Sequence, residues 1–184
     1  MLTRKFAHID LTKKTVKIMD MPKEWREKYL GSRGINMYML YSLGDPNADP
    51  LAPSNPLTFG VGLLGGTPGL GSGRWQVSGV SPLCGNLGDA NGGGKFGAQL
   101  TSAGFNNLLI TGKSPTPVYL YITNDNIEIK DARHLWGKDT WETQVALQKE
   151  YQDPRLESAV IGVAGEHMVR YANVMNGVKD SASG

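Results

Sequence analysis

Fourteen of the chain's 24 glycines crowd into residues 60–97 of its 184. At roughly five times the usual glycine share of about 7%, that stretch gives up too much backbone entropy to persist as a helix or a long strand. It reads as turns and close backbone approaches around one strand-like run, Arg74-Trp75-Gln76-Val77-Ser78-Gly79-Val80. The glycine surplus is therefore local, and the chain on either side carries the more regular patterns.

Those flanks have clear periodicities. Residues 6–21 alternate apolar and polar side chains about Thr12-Lys13-Lys14, the pattern of a β-hairpin, with Phe6, His8 and Asp10 on one face and Ala7, Ile9 and Leu11 on the other. Pro22 suits a first helical turn, Trp25, Tyr29 and Leu30 give that helix an apolar stripe before Gly31 ends it, and helical sequence resumes over 34–43. Residues 45–56, dense in Pro, Asn and Asp, read as a surface loop, and 57–64 as a buried strand. Further on, the pattern predicts a helix from near Gly94 to 103, a short strand at 108–111, and a second hairpin over 118–132 turning at Asn124-Asp125-Asn126. A helix over 140–151 follows, capped by Asp139 or Thr140 and with Val145, Leu147 and Tyr151 as apolar contacts, then strands at 158–163 and 168–175.

Two halves thus share an order of parts: hairpin, helix, apolar strand, glycine-containing turn, strand, small-residue loop. His8-Ile9-Asp10-Leu11 answers Leu120-Tyr121-Ile122-Thr123, and Phe59-Gly60-Val61-Gly62 answers Ile161-Gly162-Val163-Ala164. On this reading the glycine-rich loop after Arg74 and residues 180–184 are counterparts that could grip a ligand with two-fold character.

A chain of this length supports one domain, residues 1–184, burying about 70% of the surface its unfolded form exposes. The formal charge is only +2, with Lys and Arg scattered, which argues against nucleic acid or an anionic membrane as partner. No apolar run suits a signal peptide or a membrane span, so a cytoplasmic protein is expected. The single cysteine, Cys84, cannot form an internal disulfide or by itself hold zinc or an iron–sulfur cluster.

The residues that carry chemistry lie in the glycine-rich stretch. Asn91-Gly92-Gly93-Gly94-Lys95-Phe96-Gly97 stands before a predicted helix, where backbone N–H groups can face an anion with no Cβ in the way. Arg74, opening a strand, adds a guanidinium able to clamp phosphate through two N–H groups. The run matches neither a P-loop, since no Gly-Lys-Ser/Thr ends it, nor the dinucleotide fingerprint, since the βαβ setting is missing. Cys84 reads as a small buried hydrophobe and His134 as a packed or surface residue. Glu166 and His167, adjacent on a strand, would point to opposite faces. No catalytic residue is assigned.

Leu30-Gly31-Ser32-Arg33-Gly34, Asn55-Pro56-Leu57, Gly73-Arg74, Ser81-Pro82-Leu83, Ala90-Asn91 with Gly93-Gly94, Phe96-Gly97, Ala103-Gly104, Pro117-Val118-Tyr119, Asp131-Ala132, Leu135-Trp136-Gly137 and Ile161-Gly162 through Ala164-Gly165-Glu166 resemble, in order and spacing, the N-terminal domain of aldehyde:ferredoxin oxidoreductases. The resemblance spans essentially the whole chain. It implies an α+β fold of two β-sheets with flanking helices, duplicated about a pseudo-two-fold, on which a tungsten (or molybdenum) bis-pterin cofactor rests. By motif match, Arg74 would contact the cofactor's phosphate region, Asn91 would offer its backbone carbonyl to a Mg²⁺ joining the pterin phosphates, and Gly93 would line a pterin. Ala182 would offer the matching carbonyl and Gly184 would line the other pterin.

The implied activity is oxidation of an aldehyde to a carboxylic acid, with electrons leaving through a 4Fe-4S cluster to ferredoxin or an iron–sulfur subunit; a homo-oligomer is compatible. The cluster cysteines, acid–base residues and substrate pocket would lie beyond Gly184, so the 184 residues alone should be inactive. Ser181 stands where aldehyde-oxidising members carry Arg, and Asp180-Ser181-Ala182-Ser183 is more like the family's benzoyl-CoA reductase branch. The alternative within the family that this likeness implies is a reductase of an aromatic acyl thioester. A rival of another class is a non-catalytic module that binds a phosphate ligand, which predicts a natural stop after Gly184.

Overall fold

Asp10 closes the first turn: its Oδ1 accepts the amide protons of Thr12 at 3.0 Å and Lys13 at 2.9 Å. In the computed structural model, which describes residues 5–45, 47–177 and 179–182, β1 (Lys5–Asp10) and β2 (Thr15–Asp20) form the expected antiparallel hairpin. Helix α1 (Lys23–Tyr29) starts after Pro22 and stops because Leu30, not Gly31, takes a left-handed conformation at φ 63°. Helix α2 (Ser32–Leu43) follows at once, two residues earlier than expected.

The glycine-rich stretch holds more sheet than its composition suggests. β3 (Leu57–Val61) is shorter than predicted, with Leu63 and Leu64 exposed beyond it, and β4 (Trp75–Val80) is as predicted. β5 (Leu87–Gly92) was not legible at all. Helix α3 (Phe96–Ser102) leads into β6 (Phe105–Thr111), which begins three residues before the predicted strand.

The second hairpin, β7 (Val118–Thr123) and β8 (Asn126–Asp131), turns on Asn124 and Asp125, both at positive φ. Two successive left-handed residues match the right-handed twist of the strands. Helix α4 (Thr140–Glu150) carries a full capping box, Asp139 accepting from the Glu142 amide while Glu142 accepts from that of Asp139. Its buried positions are Thr143, Gln144 and Leu147; Val145 faces solvent. β9 (Ala159–Val160) is followed by a single helical turn, α5 (Val163–Glu166), in the glycine-containing segment between the two expected strands. Extended structure returns only at β10 (Val174–Asn176) and β11 (Asp180–Ala182).

The fold is α+β, with its strands in three sheets among the described residues: six strands ordered β2-β1-β6-β3-β4-β5, three ordered β11-β10-β9, and the pair β7-β8. β6 runs parallel to β1 and antiparallel to β3, joining hairpin to meander. Both faces of the six-stranded sheet are covered. Phe6 and Leu109 pack with Met21, Ile35 and Met39 on one side, and Ala7, Ile9 and Leu108 pack with Leu100 and Ile127 on the other. On that first face Phe6 is buried, while His8 and Asp10 are half-buried.

The duplicated order appears as hairpin, helix and three-stranded meander twice over: β1-β2, α1-α2, β3-β4-β5, then β7-β8, α4, β9-β10-β11. The last strands of the two meanders, β5 and β11, lie against one another, with Ala182 in the core that holds Trp75. The proposed match of residues 59–62 with 161–164 fails, because the first lies in and just after a strand and the second enters α5.

Candidate functional site at the β5–β11 seam

Trp75 is the fixed point. It is fully buried, its ring meets Phe96 edge-on at 5.0 Å between centroids, and its indole N–H donates to the carbonyl of Gly93 at 2.7 Å. A Cβ on Gly92 would lie 2.6 Å from that ring, so glycine at 92 is a packing requirement. Arg74, one position before β4, is exposed, and its Nη1 donates to Asn91 Oδ1 at 2.9 Å. The β4–β5 register, Gln76 opposite Asn91 and Trp75 opposite Gly92, brings Arg74 alongside this turn.

From the other half, Asn176 and Asp180 close on the same loop. Asn176 is buried; its Oδ1 accepts the Phe96 amide proton at 3.1 Å, and its Nδ2 donates to Glu157 Oε2 at 2.9 Å and to the Ser158 carbonyl at 3.1 Å. Gly94 sits at φ 75°, where a Cβ would overlap Asn176 Oδ1 and lie 2.9 Å from Asp180 Oδ2; on Gly93 a Cβ would lie 2.8 Å from Asp180 Oδ1. The glycine run is therefore not an open nest. Its glycines let two distant side chains reach the backbone, and the Phe96 N–H that could have met an anion is bonded to Asn176.

Of the predicted site residues, Arg74, Asn91 and Gly93 come together on one turn, Ala182 is buried at the end of β11 against β5, and Gly184 lies outside the described residues. Behind them a polar chain runs inward: Arg33 pairs with Asp89, Asp89 accepts from Ser78 at 3.1 Å, Asn36 donates to Ser78 at 3.2 Å, and Asn107 donates to Asn36 at 2.9 Å. Asn36 and Asn107 are fully buried, and a Cβ on Gly60 would lie 2.6 Å and 2.7 Å from their amides. This network fixes β5 two residues before Asn91. Neither this network nor the role of Asn176 was legible in the chain; Trp75, directly after Arg74, was the one available clue.

The residues set aside also find places. Cys84 is exposed rather than buried, its thiol pKa lowered by the Asn86 amide and the Ser81 hydroxyl. His134 lies at the surface against Glu150, and both Glu166 oxygens accept from the Gly137 amide at 3.0 Å, a structural contact in a helical turn. Among the described residues no three His, Cys, Asp or Glu side chains converge to cage a metal, and no helix is long and apolar enough to cross a membrane.

The family profile described as aldehyde ferredoxin oxidoreductase, N-terminal domain, matches residues 6–184. The chain belongs to that family. It is 45% identical over 172 residues to the tungsten-containing aldehyde ferredoxin oxidoreductase of Pyrococcus abyssi and 41% identical to that of Pyrococcus furiosus, in each case over 94% of this chain and 28% of the relative. Among solved structures, the active-site complex BamBC of benzoyl coenzyme A reductase with 1,5-dienoyl-CoA superposes with a TM-score of 0.95 at 41% identity, covering 99% of this chain and 28% of that one. The chain thus spans little more than a quarter of the length of the relatives it matches.

Proposed function

We propose that this domain holds the phosphate ends of a tungsten (or molybdenum) bis-pterin group within a larger two-electron oxidoreductase. The observation that carries this is the pairing of exposed Arg74 with Asn91 at the seam where the two half-domains meet. The donor set suits such a guest. The Arg74 fork gives one N–H to Asn91 and keeps others to offer to phosphate. With no cluster of three carboxylate, imidazole or thiol side chains among the described residues, a cation at the seam would take backbone carbonyls and phosphate oxygens, the hard oxygen ligands Mg²⁺ prefers; the carbonyls of Asn91 and Ala182 are the proposed protein ligands. Gly93 would lie under one pterin and Gly184 under the other. When bound, the group supplies reversible two-electron transfer at its metal; the chain binds and orients it, Trp75 and Asn176 holding the loop in place.

In the complete enzyme, Arg74→Ala lowers tungsten (or molybdenum) and pterin content per polypeptide after anaerobic purification, and Arg74→Lys restores it only in part because an ammonium cannot form the paired contact. Unchanged metal and pterin content in Arg74→Ala refutes the role.

For the whole protein, the reading is a cytoplasmic enzyme oxidising aldehydes, with electrons passing through a 4Fe-4S cluster outside these residues to ferredoxin or an iron–sulfur subunit. A second reading, reduction of an aromatic acyl thioester, is supported by Ser181 in β11 and by the likeness to the benzoyl coenzyme A reductase complex. Assays of the holoenzyme with aldehydes and with acyl-CoA compounds separate the two. Membership of a family of much longer proteins favours either over a free-standing binding module.

A further inference from the structure

Asp180 carries a charge that no neighbouring side chain answers. It opens β11 opposite Asn176 of β10, and its two oxygens lie over consecutive glycines of the loop after β5. A Cβ on Gly93 would be 2.8 Å from Oδ1, and one on Gly94 would be 2.9 Å from Oδ2. The residue is half-buried. Yet among the described residues it accepts no hydrogen bond and has no Lys, Arg or His within ion-pair distance. Glu157 meets the other end of the Asn176 amide, its Oε2 accepting from Nδ2 at 2.9 Å, and it too is half-buried without a cationic partner. Lys95 and Lys179, adjacent in the chain to Gly94 and Asp180, are exposed and bond to neither carboxylate.

An ionised carboxylate drawn out of water is costly unless a counter-charge or hydrogen bonds offset the lost hydration. Here two successive residues without a Cβ let the carboxylate come up against the backbone. The group also stands close to ligands suited to a cation. Asn91 precedes Gly93 by two residues and Ala182 follows Asp180 by two, so each proposed carbonyl ligand is about 7 Å of extended chain away at ~3.3 Å per residue. A hydrated Mg²⁺ covers much of that spacing, with about 2.1 Å to a bound water and roughly 2.8 Å from that water to a carboxylate. Mg²⁺ characteristically keeps several waters and is held by one or two carboxylates together with phosphates. Without a cation Asp180 would oppose the guest, because a carboxylate facing phosphate repels it. A divalent ion between them turns that repulsion into attraction.

We infer that Asp180 is the carboxylate anchor of the divalent cation at the seam, holding it through the ion's bound water. The inference rests on the reading of the seam as a site for a cation and the phosphates of a pterin group. To the carbonyls of Asn91 and Ala182 it adds a side chain whose charge selects a cation, with Glu157 behind Asn176 deepening the negative potential. Gly93 and Gly94 then serve to admit this carboxylate, and Asn176 holds the strand that carries it.

The test reads Mg²⁺ retention rather than turnover. Full-length holoenzyme, purified anaerobically, is dialysed against EDTA, and Mg²⁺, tungsten or molybdenum, and pterin per polypeptide are followed with time. Asp180→Asn keeps the shape of the side chain and removes its charge. It should release Mg²⁺ about tenfold faster than the unaltered protein, the cost of turning a charged acceptor into a neutral one, with Mg²⁺ leaving before pterin. Stability separates this from a purely structural role. With EDTA in excess, Asp180→Asn should have a urea midpoint no lower than the unaltered protein, because the unanswered charge is gone, whereas with Mg²⁺ its midpoint should be lower. Equal release rates, or a midpoint lowered alike with and without Mg²⁺, overturn the inference and leave the Arg74 reading standing. Holoenzyme that holds pterin and tungsten or molybdenum but no Mg²⁺ overturns it together with the cation part of the proposed function.

Discussion

Gly94→Ala tests whether the two halves are joined through the loop. At φ 75° an alanine bears the left-handed penalty of about 1–2 kcal/mol. Its Cβ would also overlap Asn176 Oδ1, driving that amide off the Phe96 N–H and loosening its bonds to Glu157 and Ser158. Each buried polar group left unsatisfied costs about 1–3 kcal/mol, so the total is about 2–5 kcal/mol, a large share of a typical 5–15 kcal/mol stability. Gly71→Ala is the control, because Gly71 has φ 73° but open space around its Cβ position, leaving only the backbone penalty. The urea midpoint of the full-length protein should fall clearly further for Gly94→Ala than for Gly71→Ala. In an Asn176→Ala background most of the excess should be lost, since the closest clash is removed beforehand and only the end of the Asp180 side chain still has to move aside. Equal losses for the two glycines, within about 0.5 kcal/mol, would refute the tether.

Asp139→Ala removes the acceptor of the α4 capping box and should cost about 1 kcal/mol, read as a lowered melting temperature, with Asp139→Asn restoring most of it; an unshifted melting temperature contradicts the cap. His8, bonded to Thr111 at 2.9 Å, has its imidazole pKa lowered from 6.5 by burial, with Asp10 opposing. The folded chain thus takes up this proton less readily than the unfolded chain, so the His8 contribution to stability is full above pH 6.5 and declines as pH falls through 6.5 toward the lowered value. The urea midpoint should drop between pH 7 and pH 5, and His8→Gln should flatten that drop; an unaltered slope rules out His8 as the source.

What could be read from the chain follows the reach of its interactions. The hairpins were legible because Asp10 closes one turn and Asn124-Asp125 the other within three residues of sequence, and α4 because its cap is local. β5 was not, because Gly88 and Gly92 lower its intrinsic strand preference and its pairing with β4 supplies the stabilisation instead. Residues 168–175 misled because alternation alone does not reveal that α5 and a left-handed Met168 use up the segment before β10. The site repeats the lesson at longer range. That Arg74 and Asn91 could serve one anion was readable from their residue types; that they meet across β4 and β5, 17 positions apart, was not, since β5 itself was unforeseen. What the glycines face was not readable either. A run of small residues frees backbone N–H groups for any acceptor, and a ligand oxygen and the amide of Asn176, 80 positions from Phe96, leave the same mark on the sequence. The choice is made by β11 and β5 meeting, which brings Asn176 and Asp180 onto the loop. In the proposed function, phosphate binding would then rest on the Arg74 fork and on a cation held by carbonyls along the seam rather than on the Phe96 amide, which would make the integrity of the β5–β11 contact, and not only the glycine run, a condition for holding the guest there.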